Sequence, residues 1–349
     1  MKRPKWKPTI YDVAQASGIS ASTVSAVLSG NSVNRRIKQG TVELVRKVAA
    51  EVGYSANLQA RGLRRARSGL VGMIIPMHEN RFFSSLSQSF DTLARERGFC
   101  PVIASTLRDA KEEARVVETL ISYAVDSLFI AGATDPDALG ELCAAARLPH
   151  VFIDLPGKHA PSVVTNNRHG AELLARKIFT QMLGGESSRP ATPYFFGGLA
   201  GDYATTLRIE AFRSVAAEFG LPIAEDQILQ CGYAPRNAAD AIVALCGRLG
   251  GLPAGLFVNS LTVFEGVMGH FVKLPSSAFD QSVIGCFDYD PFAAFLQFPV
   301  YMIRQNSHEL IARGYQLLES DFSDAVIEEI EPDLIEPRTL YKSPLAGIG

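Results

Sequence analysis

Apolar residues recur at helical spacing near the start of the chain and then switch to short blocks separated by amphipathic stretches. Over residues 9–16, Ile10, Val13 and Ala14 fall on one face of a helix that Thr9 can cap. Ser17, Gly18 and Ile19 supply a tight turn, and Ser20 can cap a second helix over 21–28 with Val24, Val27 and Leu28 pointing inward. That face assignment leaves Ala21, Ser22, Ser25 and Ala26 outward. A third helix is expected over 41–52, where Val42, Val45, Val48 and Ala49 close a small core. Two helices joined by a glycine-containing turn, the second opening on small polar residues, form a helix-turn-helix, whose second helix enters the DNA major groove.

From residue 70 onward apolar runs at 70–75, 101–104, 127–130, 150–153, 194–196, 255–258 and 283–287 alternate with segments of helical length. This pattern predicts parallel sheets with crossover helices, and about 280 residues are enough for two doubly wound α/β lobes. The expected fold is an all-α helix-turn-helix headpiece followed by an α/β core of two parallel-sheet lobes. Ligands of such sheets sit beyond the carboxyl ends of the strands. The polar and aromatic residues there are Asn80, Arg81, Phe82 and Phe83 after the first run, Ser105 after the second, Asp154, and later Asn259 and Asp288. Arg208 lies in a helix expected over 205–219.

Charge sharpens this division. The 349 residues carry a net charge of only -2, yet residues 1–68 hold thirteen Lys or Arg against three acids, a surplus of +10, and the remainder carries -12. One small module is therefore suited to a polyanion and the rest is not. With 47% hydrophobic and 20% charged residues, the chain is neither disordered nor fibrous, and it can build two or three domains. No apolar stretch approaches the roughly 18 to 20 residues of a membrane span, and the charged start has no apolar segment behind it, so a cytoplasmic protein is expected. The five cysteines are scattered in apolar runs with no C-x-x-C pair, which predicts buried thiols and no zinc.

The residues Thr9-Ile10-Tyr11-Asp12-Val13-Ala14, Gly18-Ile19-Ser20, Ser22-Thr23-Val24-Ser25, Val27-Leu28, and Gly53-Tyr54 with Asn57 carry a resemblance to the lactose-repressor and galactose-repressor family of bacterial transcription regulators. The resemblance covers essentially the whole length. It implies DNA contacts from Thr9, Tyr11, Ser20, Ala21, Ser22, Thr23, Ser25 and Ala26 in the headpiece. It also implies a hinge helix over 57–68 that contributes Asn57, Ala60, Leu63 and Arg64, with Leu63 wedging into the minor groove. The segment is too short for a stable isolated helix and should fold on DNA. Lys38 and Gly40 depart from the family's preferred helix start, and Ala56 replaces its usual proline.

The same resemblance implies a periplasmic-binding-protein-like core in which Asp154, Arg208, Asn259 and Asp288 contact sugar hydroxyls and Phe82 and Phe83 flank the ring. Segments 255–260, 266–268 and 295–300 are similar to the branch containing the fructose-responsive catabolite repressor/activator, which implies a sugar-phosphate effector, but Leu155 stands where that branch has an arginine. The implied partners are a palindromic operator, a second copy of the chain, and a carbohydrate or sugar-phosphate effector, with no membrane and no cofactor.

Enzyme signatures fail. The segment Gly197-Gly198-Leu199-Ala200-Gly201 lacks full G-x-G-x-x-G spacing and reads as a strand-to-helix turn; His308-Glu309 is followed by Ala312, so no zinc helix forms, and there is no G-x-S-x-G elbow. The competing reading is a soluble sugar-binding or sugar-modifying α/β protein. The expected boundaries are 1–56 for the headpiece, 57–68 for the hinge, 69–165 with 304–323 for the first core lobe, and 166–303 with 324–349 for the second. Nothing near the end has a leucine heptad, so no tetramerising tail is expected.

Overall fold

The computed structural model describes residues 8–54, 67–158, 160–184, 191–320 and 325–339. The chain divides into two compact units, Met1–Gly69 and Leu70–Gly349. The hinge residues Asn57, Ala60, Leu63 and Arg64 lie outside the described residues.

The first unit contains α1 (Ile10–Ser17), α2 (Ala21–Leu28) and α3 (Gln39–Val52). Val13, Val24, Val27, Val42, Val45, Val48 and Ala49 form its core. Gly18 ends α1 at φ 68°, a left-handed cap that glycine takes without a Cβ penalty. Helix α3 starts two residues before the expected position, and no side chain caps it at Lys38. Gln39 instead supports the first turn by donating from Nε2 to Glu43 Oε1 at 3.1 Å.

The second unit runs β1 (Leu70–Ile75), α4 (Arg81–Glu96), β2 (Cys100–Ser105), α5 (Ala110–Ser122), β3 (Ser127–Ala131), α6 (Pro136–Ala145), β4 (His150–Ile153) and β5 (Ser162–Thr165). It continues with α7 (Asn167–Gly184), β6 (Pro193–Phe196), α8 (Tyr203–Glu218), β7 (Ile228–Leu229), α9 (Pro235–Leu249), β8 (Gly255–Val258), α10 (Leu261–Phe271) and β9 (Val283–Phe287). The final elements are β10 (Val300–Arg304), α11 (Ser307–Glu319), β11 (Ile327–Ile330) and β12 (Asp333–Ile335). Two six-stranded sheets result, in the orders β11-β5-β4-β3-β1-β2 and β12-β10-β9-β8-β6-β7. Among the described residues, the ladders between these strands are parallel except that of β10 with β12.

Each sheet buries both faces, which is why its strands read as unbroken apolar runs. In the first sheet Phe90, Phe129 and Tyr315 pack on one side, and Leu120, Cys143 and Phe152 on the other. In the second, Phe179, Phe195, Phe212 and Phe257 oppose Phe271, Phe279 and Phe298. Burial raises the Cys143 thiol to about 12 and the Cys246 thiol to about 11. The expectation of buried cysteines fails at Cys100, which is exposed at the first position of β2, an edge strand.

The chain passes between the sheets three times: after β5, after β10, and between β11 and β12. These crossings are tied together, with Asn166 N donating to Ile330 O at 2.8 Å and Thr165 Oγ1 to Gln305 Oε1 at 2.5 Å. The last crossing corrects an expected boundary. Strand β11 pairs with β5 in the first sheet, so 327–330 belong with the first lobe and only β12 returns to the second. The adjacent Glu328 and Glu329 at the centre of this four-residue edge strand leave it no apolar run.

Candidate functional site

The headpiece presents a hydroxyl-rich surface at the start of α2. Ser20 Oγ accepts from Thr23 N at 3.3 Å and lies 3.1 Å from Ser22 Oγ and 2.9 Å from Thr23 Oγ1. At the start of α1, Asp12 Oδ2 accepts from Thr9 N at 2.6 Å and from Thr9 Oγ1 at 2.7 Å, bonds that hold its carboxyl below the usual range. Tyr11 is 73% exposed. Thr9, Ser20 and Ser22 are exposed, and Ala21, Thr23 and Ser25 are half-buried. Ala26 departs from the expected outward set: it is only 5% exposed, with its carbonyl accepting from Asn31 N and Ser29 Oγ as the following turn folds back. Arg35, Arg36, Lys38, Arg46 and Lys47 are all exposed.

In the second unit, the strand ends of the two sheets face a cleft of about 870 Å³. The sheets contribute equivalent positions. Asp154 follows β4 and Asp288 follows β9, the strand at the same place in the other sheet's order. Both adopt left-handed backbones, φ 76° and φ 99°, which cost energy for a residue with a Cβ and hold the carboxyls at the cleft. Gly197 and Gly198 follow β6 at φ 100° and φ 84°. A Cβ on Gly198 would lie 2.5 Å from Thr205 Oγ1 and 2.6 Å from Asn259 Nδ2, so this strand-to-helix turn needs glycine.

Arg208 anchors the second lobe's polar face. It is 4% exposed, donates from Nε to Asn167 Oδ1 at 2.9 Å and from one terminal nitrogen to Asn259 O at 2.6 Å, and its guanidinium lies 3.5 Å from the Phe287 ring centroid. Asn259 is fully buried and does not line the cleft; it positions Arg208 and donates from Nδ2 to Thr205 Oγ1 at 3.2 Å. Asp288 Oδ2 accepts from Leu261 N at 3.1 Å and Oδ1 from Gln305 Nε2 at 2.5 Å. Burial raises its carboxyl, opposed by Arg208.

The other expected residues divide. Phe82 and Phe83 wall the cleft with rings 5.2 Å apart. Asn80 lines it too, but its Oδ1 caps α4 by accepting from Phe82 N at 2.9 Å and Phe83 N at 3.2 Å. Arg81 reaches across to the second lobe, its Nε 3.3 Å from Asp290 Oδ2. Ser105 is half-buried at the end of β2 and is not among the residues lining the cleft.

Four further residues contribute. Arg108 lies beside the Phe83 ring at 5.9 Å and the Tyr233 ring of the other lobe at 5.5 Å. Tyr233 Oη donates to Asp202 Oδ2 at 2.8 Å, and its hydroxyl is pushed up to about 12 by burial and by Asp202. Gln305 links Asp288 to the crossing at Thr165. Burial raises Asp154 to about 7, opposed by Arg108 and Arg208 and reinforced by Asp202 and Asp288. Among the described residues, no three His, Cys, Asp or Glu side chains gather as a metal site. No helix among them is long and apolar enough to cross a membrane.

Residues 9–57 match the family profile described as bacterial regulatory proteins, lacI family. The chain is 46% identical to the ribitol operon repressor of Klebsiella aerogenes over 172 residues, which is 49% of this chain and 64% of that repressor's length. It is 31% identical to the maltose regulon regulatory protein MalI of Escherichia coli (strain K12) over 248 residues, 68% of each chain. In fold, it is similar to the lac repressor dimer crystallised with operator and the anti-inducer ONPF, at a TM-score of 0.77 and 19% identity, covering 96% of this chain and 100% of that one. With the headpiece signature and the two-lobed core both in place, the chain belongs to the lacI family of bacterial regulatory proteins.

Proposed function

We propose that this protein is a cytoplasmic, homodimeric transcription regulator, not an enzyme, that represses carbohydrate genes by binding a palindromic operator. A small polyhydroxylated effector in the core cleft sets its operator affinity. The observation that carries this reading is the pairing of a helix-turn-helix, with exposed hydroxyls at the start of α2 and a +10 surplus in its segment, with a core whose cleft collects polar groups from two lobes. Tyr11, Ser20, Ala21, Ser22, Thr23 and Ser25, with Thr9 at the helix start, face the operator; Asn57, Ala60, Leu63 and Arg64 belong to the segment that follows. Asp154, Arg208 and Asp288 meet the effector, and Asn259 acts through Arg208. The names of the ribitol and maltose regulators favour a carbohydrate or polyol as the effector class.

Selection of bound duplexes from a random pool should return a palindrome, and affinity for it should fall steeply with salt as Lys and Arg displace counterions. A fragment beginning at Leu70 should lose operator binding. Equal binding by that fragment overturns the reading. Leu63→Ala should lose a few kcal/mol of specific binding, the scale of one unstacked base step, with random-duplex binding largely kept. Equal weakening on both duplexes would refute the wedge role.

A further inference from the structure

We infer that the cleft is built for an uncharged polyhydroxylated ligand, a polyol or free sugar, and not for a phosphate ester, with Asp154 accepting hydrogen bonds from adjacent ligand hydroxyls. This rests on the effector reading above and specifies the chemistry of that same cleft.

The charge balance of the wall is the first reason. Six carboxylates (Glu79, Asp154, Asp202, Glu265, Asp288 and Asp290) line the cleft against three guanidiniums, those of Arg81, Arg108 and Arg208. Arg81 is paired with Asp290. Arg208 uses Nε and one terminal nitrogen on Asn167 and Asn259, which leaves its other terminal nitrogen without a hydrogen-bond partner among the described residues. Arg108 and that single nitrogen are the remaining cationic donors of the lining, and both cations already oppose the burial of Asp154. A phosphate dianion entering here would compete with Asp154 for its countercharges and sit in the field of Asp202 and Asp288. Leu155, next to Asp154 on the wall, adds no cation.

Donor and acceptor counting is the second reason. The Asp154 carboxylate has no hydrogen bond among the described residues, although its backbone is fixed at φ 76° and its amide donates to Val163 O at 3.1 Å. An ionised carboxylate only accepts, and so does a phosphate dianion; a hydroxyl both donates and accepts. Two neighbouring ligand hydroxyls can therefore donate to Asp154 while their oxygens accept from Arg208 and Arg108. A phosphoryl group placed on the arginines donates nothing to Asp154, so a phosphate ester has only its remaining hydroxyls for that carboxylate while its dianion takes up the same countercharges. A neutral polyol meets both needs without that competition.

The pH dependence follows with opposite signs for the two ligand classes. With Asp154 near 7 in the empty cleft, hydroxyl donors stabilise its ionised form, so a neutral ligand binds more tightly as pH rises through 7 and releases a proton. A dianion favours the protonated form and binds less tightly over the same range. Arg108, Arg208, Asp202 and Asp288 face the same carboxyl and set the baseline.

The test uses the full-length protein with matched probes: ribitol, xylitol, sorbitol, ribose and fructose, and the monophosphates of the same compounds. Thermal shift and titration calorimetry should show binding among the uncharged members, with affinity rising from pH 6 to pH 8, and none among the phosphates at equal concentration. Asp154→Asn is isosteric and tolerates the left-handed backbone. It should weaken the neutral ligand at least tenfold, the scale of a hydrogen bond to a charged group, and flatten the pH profile. Binding by phosphates alone, a panel with no neutral binder, or unchanged affinity in Asp154→Asn each overturns the inference. Operator binding is measured on the same preparations. Loss of ligand response with intact operator binding defeats only this ligand assignment, whereas absence of operator binding by the wild type defeats the regulator reading itself.

Discussion

The two core lobes share a strand order and face one cleft, yet they hold their polar groups differently. In the second lobe the groups are already tied to one another: Arg208 to Asn167 and Asn259, Tyr233 to Asp202, and Asp288 to the Leu261 amide and Gln305. The first lobe offers Asp154, whose carboxylate has no hydrogen bond among the described residues, and Arg108, held beside two aromatic rings. One face is pre-assembled and the other has unfilled capacity. A ligand seated on the second lobe gains the first lobe's hydrogen bonds only where the lobes approach, and that difference alone sets how far it shifts their equilibrium.

The largest expected effect tests the pre-assembled face. Arg208→Ala should cost about 3 to 5 kcal/mol of core stability by stranding Asn167 and Asn259 and removing a buried countercharge from Asp288. Denaturant melts of wild type and variant read this directly, and a loss under about 1 kcal/mol would erase the contrast between the lobes. Tyr233→Phe removes one hydroxyl from the Asp202 and Thr205 network and should cost about 1 to 2 kcal/mol in the same melts.

Asp154→Asn should behave in the opposite way. The folded carboxyl titrates near 7 against an ordinary 3.8, so the native core holds a proton that the unfolded chain releases between those values. Stability contributed by this group is full below the ordinary value and is lost as pH rises towards 7. The asparagine variant should therefore melt above wild type at pH 8, with the gap closing at pH 5. A variant less stable than wild type at pH 8 would mean that Asp154 has a structural partner. The smallest effect is expected at Arg81→Ala, because its ion pair with Asp290 is partly solvated and is worth about 0 to 1 kcal/mol.

The headpiece was legible in the sequence because its contacts are local: a 3.6-residue period, two caps and a glycine turn suffice to place three helices. Ala26 escaped because a small side chain on an eight-residue helix carries no pattern of its own, and the turn covering it is set by backbone bonds. The strand runs exposed the two sheets, and the strand-end rule found Asp154 and Asp288. The same rule applied after β6 would have found Asp202, the residue capping α8. Arg108 and Tyr233 lie in irregular segments with no periodic signal, and Arg108 in particular depends on consecutive left-handed residues, Leu107 at φ 55° and Arg108 at φ 57°. Ser105 shows the limit of the rule, since a strand end on the edge strand β2 does not reach the cleft wall.

The three passages between the sheets also bear on the order in which the protein can form during synthesis. Residues 10–52 can fold on themselves as soon as they leave the ribosome, because each helix contacts a near neighbour in sequence. The first lobe starts with β1 at residue 70, yet its sheet is completed by β11 at 327–330, and α11 at 307–319 covers its β3–β4 face. Neither lobe can close its edge until almost the whole second unit has been translated. A growing chain therefore carries a finished headpiece ahead of an unfinished core for most of its synthesis, with the apolar faces of both sheets open, which makes that interval its greatest exposure to misassembly.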